Sequence, residues 1–74
     1  MKLNKEQVEY INNILNIKFD ANTDLNKMDL HKANNVIDAL EIRLMEKGFD
    51  ENYEPTVDGL MCETILDAFG EVKI

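Results

Sequence analysis

The stretch DLHKANNVIDALEIRLMEKGF, Asp29 to Phe49, decides the fold. Leu30, Ala33, Ile37, Leu40 and Leu44 step by three, four, three and four residues, which lays one apolar stripe along an α-helix, with Val36 and Met45 flanking it. Asp29 is placed to cap the first turn, and Lys47 complements the negative end of the helix dipole. Gly48 is suited to the left-handed conformation that ends many helices, with Phe49 following to fold back on the last turn. The stretch predicts a helix over 30–47. A single amphipathic helix cannot bury its own stripe, so further elements must cover it.

Toward the C-terminus, Pro55 biases Glu54 away from helix and Asp58-Gly59 reads as a turn. Leu60, Met61, Ile65, Ala68, Phe69 and Val72 then recur at helical spacing. Because glycine inside a helix costs about 1 kcal/mol, the start of this helix is expected beyond Gly59, between Leu60 and Thr64. Toward the N-terminus, Asn4 and Gln7 form a capping-box pattern. Val8, Ile11, Ile14, Leu15 and Ile17 carry an apolar stripe to about Lys18, with Tyr10 and Phe19 at its margins. Asp20 to Asp29 is rich in residues that bond their own backbone in turns, and reads as a linker loop.

The sequence therefore predicts an all-α fold, a small three-helix bundle near 5–18, 30–47 and 60–72, forming a single domain over 1–74. The expected core is Val8, Ile11, Leu15, Ile37, Leu40, Leu44, Ile65 and Phe69. A chain of 74 residues has a small core, burying only about 60% of the surface it exposes when unfolded. The lone Cys62 supplies no internal disulfide, and this fits a reducing compartment. No apolar run approaches the roughly 18 residues of a membrane span, and the start of the chain lacks the apolar region of a secretory signal. The cytoplasm is the expected location.

Net charge is −7 and is unevenly spread. Five bases and five acids cancel from Met1 to Ile37, whereas ten acids face Arg43, Lys47 and Lys73 from Asp38 onward. Asp50, Glu51, Glu54, Asp58, Glu63, Asp67 and Glu71 follow one another with no intervening base. Such a field repels phosphate backbones and anionic membranes and attracts a basic protein surface. Direct nucleic-acid or membrane binding is not expected; a protein partner with a basic patch is.

Catalytic and metal chemistry is poorly supplied. The chain has no serine or tryptophan, one histidine (His31) and one cysteine, too few for a Ser–His pair or a zinc cluster. Cys62 sits among Leu60, Met61 and Ile65, where a small buried side chain is its ordinary role. Asp20, Asn22 and Asp24 match the first, third and fifth positions of a calcium loop, but Leu25 stands where glycine is needed and His31 where a bidentate glutamate is needed. No enzyme activity, metal or cofactor is expected.

Ile37, Leu40, Glu41, Leu44 and Gly48-Phe49, followed by Val57-Asp58-Gly59, Ala68-Phe69 and Val72, resemble peptidoglycan-binding domains of the small three-helix type over residues 36–72. The apolar pattern is matched more fully than the polar one, with Glu41, Met61, Cys62, Ile65 and Val72 departing from the usual residues. The resemblance implies a wall-binding module holding a glycan or stem peptide in a shallow groove beside the Gly48–Gly59 crossing, with Phe49, Tyr53 and Asp58 as the contacts. The charge pattern points instead to a non-catalytic intracellular module that occupies a basic patch of a nucleic-acid-handling protein, an accessory of the kind mobile elements and phages encode. Its binding face would be Asp50, Glu51, Glu54, Asp58, Glu63, Asp67 and Glu71.

Overall fold

The structure, a computed structural model, describes residues 1–72, except for the side chains of residues 71 and 72. It is an all-α, three-helix fold: α1 is Lys5–Asn13, α2 is Leu30–Lys47 and α3 is Val57–Val72, with a 3₁₀ turn at Leu25–Lys27 between α1 and α2. α3 packs chiefly on α2, and also meets α1 and the 3₁₀ turn. Gln7 meets Thr64 while Tyr10 meets Cys62 and Asp58, so α1 runs opposite to α3.

The expected capping box starts α1: the Asn4 side chain accepts from the Gln7 N–H at 2.8 Å and the Gln7 side chain accepts from the Asn4 N–H at 2.9 Å. The helix ends at Asn13 instead of continuing to Lys18. Its last turn widens, because the N–H groups of Ile14 and Leu15 both bond the Tyr10 carbonyl, at 2.9 and 3.3 Å. Asn16 then adopts φ 58°, a left-handed conformation that asparagine tolerates better than most residues, and the Ile17 N–H returns to the Ile11 carbonyl at 3.1 Å. The Asn12 side chain fastens the returning chain, donating to the Phe19 carbonyl at 3.1 Å and accepting from the Phe19 N–H at 2.7 Å. Phe19 is thereby delivered into the core from outside any helix.

Asp20 and Asp24, two of the residues in the calcium-loop pattern, bond the loop's own backbone, accepting from the N–H groups of Asn22 at 2.8 Å and Asn26 at 3.0 Å. The second of these caps the 3₁₀ turn that buries Leu25.

α2 has the predicted bounds, although the Asp29 side chain makes no capping hydrogen bond. Its inward face is rotated from the expected stripe. Ala33, Val36 and Leu40 are fully buried, Ile37 and Leu44 are only partly covered, and Leu30 is exposed. Two adjacent apolar residues, Val36 and Ile37, both satisfy helical spacing, and the packed face of α2, which meets chiefly α3, buries Val36. The full core adds Leu3, Tyr10, Phe19, Leu25, Ala33, Val36, Cys62 and Ala68 to the expected Val8, Ile11, Leu40, Ile65 and Phe69, while Leu15 is only partly buried against it.

Two expectations about glycine are overturned. Gly48 is right-handed, at φ −76°, and the left-handed residue of this connection is Tyr53, at φ 62°. α3 begins at Val57, so Gly59 lies inside its first turn. Thr56 sets this start: its hydroxyl accepts from the Gly59 N–H at 3.0 Å and donates to the Lys47 carbonyl at 2.6 Å, and its N–H donates to the Gly48 carbonyl at 2.9 Å. The glycines are needed for proximity. A Cβ on Gly59 would overlap the Gly48 carbonyl oxygen and stand 3.0 Å from the Gly48 Cα.

Candidate functional site

The expected binding residues fall in two places, the connection between α2 and α3 and the outer face of α3. In the connection, Phe49 pairs with Pro55 in an isolated bridge, and the Asp50 N–H donates to the Glu54 carbonyl at 3.0 Å. The Asp50 carboxylate accepts from the N–H groups of Asn52 at 2.8 Å and Glu54 at 3.0 Å. This residue organises the loop from within. The tight loop throws its tip outward: Tyr53 is 87% exposed, Phe49 48%, and Glu51 and Glu54 are exposed beside them.

On α3, the buried residues Cys62, Ile65 and Phe69 define the inward face. Helical spacing places Val57, Leu60, Glu63 and Asp67 on the opposite side. Val57 is 85% exposed and Leu60 53%; Glu63 and Asp67 are exposed as well. Among the described residues no cation lies within ion-pairing distance of Glu51, Glu54, Glu63 or Asp67. The side chain of Glu71, the last of the expected acids, lies outside those described.

Asp58 has a different role. Its Oδ1 accepts from the Tyr10 hydroxyl at 2.8 Å and from Arg43 Nε and Nη2 at 3.2 and 3.1 Å. One carboxylate on α3 thus ties α1 and α2 together, and Arg43 neutralises its charge. The Tyr10 hydroxyl, and after it the Arg43 guanidinium, hold the Asp58 carboxyl below the usual carboxylate range against some desolvation. Burial, reinforced by bonding to Cys62 and Asp58, pushes the Tyr10 phenol above its ordinary range. With its proton directed to Asp58, Tyr10 accepts from the Cys62 thiol, 3.4 Å away. Sequence reading places Asp58 among the solvent-facing acids because Tyr10 lies 48 residues away. Val57-Asp58-Gly59 is thus the first turn of α3, and its Asp58 belongs to this internal tie.

Beside the Gly48–Gly59 crossing, where a shallow groove was expected, the two glycines close on each other, Phe49 and Tyr53 are exposed and Asp58 is held in the tie to Tyr10 and Arg43; among the described residues the surface holds no pocket. His31, at the start of α2, is exposed and lies twelve residues before Arg43, about 18 Å along the helix at 1.5 Å per residue. It is therefore remote from the buried Cys62, which neighbours the Arg43–Asp58 pair. No group of three or more potential metal ligands occurs among the described residues, and no helix there is long and apolar enough to cross a membrane. Compared with protein-family models, with curated proteins and with solved structures, the chain matches none.

Proposed function

We propose that this chain is a non-catalytic, cytoplasmic binding module that acts by protein–protein contact, covering a basic surface on its partner. The supporting observation is the placement of Glu51, Glu54 and Glu63, exposed and without a cation partner among the described residues, around the exposed Val57 and Leu60. Acids in this setting steer encounter and fix orientation, while the apolar side chains lose water on docking. A nucleic-acid-handling protein presents the complementary basic surface. An accessory of a phage or mobile element would act on it by occupancy, with no cofactor.

The test is capture of partners on the immobilised protein across a salt series, alongside the variant Glu51→Lys/Glu54→Lys/Glu63→Lys. A partner held at low salt should be released at high salt and lost by the variant. Capture unchanged by both treatments would refute the electrostatic reading.

Wall binding is the second reading, favoured by the outward Phe49 and Tyr53, whose ring faces suit sugar stacking. Cosedimentation with purified sacculi at high salt, abolished in Tyr53→Ala, is its expected signature. Absence of sedimentation at any salt would eliminate it.

A further inference from the structure

We infer that the outer face of α3 receives a basic amphipathic helix whose apolar anchors are bracketed on both sides by lysine or arginine. This inference rests on the protein-binding reading above and specifies its partner. Val57 and Leu60 are three residues apart and face solvent on the first turn of α3, so they form one apolar window. The window is bracketed by acids. Glu51 and Glu54 precede it on the exposed tip of the connection, whose base the Phe49–Pro55 bridge and the Thr56 to Gly48 bond close at the start of α3. Glu63 and Asp67 lie on its other side, along the same face of α3, with Asp67 about 10 Å beyond Leu60 at 1.5 Å per residue.

An apolar window without a pocket suits a helix laid side by side better than an inserted chain end. A helix lying along α3 would set apolar residues over Val57 and Leu60 and place cations about two turns away, opposite Asp67. A second copy of this chain is a poor occupant, since each copy carries a net charge of −7 concentrated in this half.

The probes are two synthetic helical peptides of identical lysine–leucine composition. One has a central leucine pair at i, i+3 bracketed by lysines, and the other has the same residues shuffled so that no face is apolar. Fluorescence anisotropy against the intact protein should show the bracketed peptide binding about tenfold or more tighter than the shuffled one. Val57→Ser/Leu60→Ser should remove that difference, whereas Ile14→Ser, an exposed apolar change elsewhere, should leave it. Glu51→Gln/Glu54→Gln should weaken both peptides and flatten the salt dependence. Equal binding of the two peptides would overturn the amphipathic-helix inference while leaving the electrostatic reading intact. Binding indifferent to salt and to the glutamate substitutions would overturn the electrostatic reading itself, and no binding of either peptide would overturn both. Circular dichroism of each variant establishes that it is folded, as expected for changes at exposed positions.

Discussion

Replacing Gly59 by alanine tests the junction on which α2 and α3 meet. The added Cβ would overlap the Gly48 carbonyl oxygen and lie 2.9 Å from its carbonyl carbon and 3.0 Å from the Gly48 Cα. All these atoms are backbone, and none can swing aside as a side chain would. Relief requires α3 to move away from α2, which strains the Thr56 bonds to the Gly48 and Lys47 carbonyls, 2.9 and 2.6 Å long. Overpacking of this kind costs about 1–3 kcal/mol. Alanine returns at most about 1 kcal/mol of helix propensity, and less in a first turn. With about half of that propensity recovered in a first turn, the net expectation is a loss of about 0.5–2.5 kcal/mol. In urea, with a slope of about 1 kcal/mol per molar for so small a chain, the midpoint should fall by about 0.5–2.5 M at unchanged slope. Gly70→Ala is the internal control. It makes the same chemical change in the same helix, where a Cβ meets nothing within 4 Å, and should stabilise by about 0.5 kcal/mol. A Gly59→Ala midpoint equal to or above the parent's, or movement of both variants in the same direction, would refute the close-approach account.

Leu40→Ala removes a fully buried side chain from the centre of α2 and should cost about 2–5 kcal/mol by thermal or urea unfolding, against little change for the exposed Ile42→Ala. Thr56→Ala should cost about 0.5–2 kcal/mol through loss of the α3 cap, with Thr56→Ser retaining most of the stability. Asp58 contributes to acid sensitivity: its folded-state pKa lies below the unfolded value, so its stabilisation is present above about pH 4 and is lost as pH falls through the folded value. Asp58→Asn should therefore be less stable at neutral pH and show a shallower decline on acidification than the parent; parallel pH curves would refute the role of the charge.

The bounds of α2 were legible because Asp29 and Gly48 flank an unbroken apolar period, although Asp29 makes no capping hydrogen bond and Gly48 is not left-handed. The C-terminal end of α1 and the start of α3 were not, and for opposite reasons. Apolar spacing continues through Ile14, Leu15 and Ile17 although Asn16 turns the backbone left-handed, so the side chains stay partly in register after the helix has ended. Gly59 reads locally as a helix breaker, whereas its place is set by an approach to Gly48 that no local pattern records. Thr56, three residues before Gly59, carried the local capping signal. In the candidate site, the count of acids was readable and their sorting was not. Asp50 is bonded to neighbours within its own loop, a turn habit inferable from sequence, but the partners of Asp58 come from two other helices.

The hydrogen bond between Tyr10 and Cys62 gives the molecule a reporter of its own partial opening. α1 is nine residues long and contacts α3 far less extensively than α2 does, so detachment of α1 with the α2–α3 pair left standing is the expected sub-global opening. That excursion lifts Tyr10 from a thiol that is otherwise fully buried. Under fast reclosing, the labelling rate of Cys62 then follows the population in which α1 is detached, while amide exchange in the centre of α2 follows global unfolding. A partner that clamped α1 in place would slow both signals, whereas one that bound the α2–α3 pair alone would slow the second and leave the first unchanged, making the cysteine an intrinsic probe of whether binding on the α3 surface is sensed on the far side of the core.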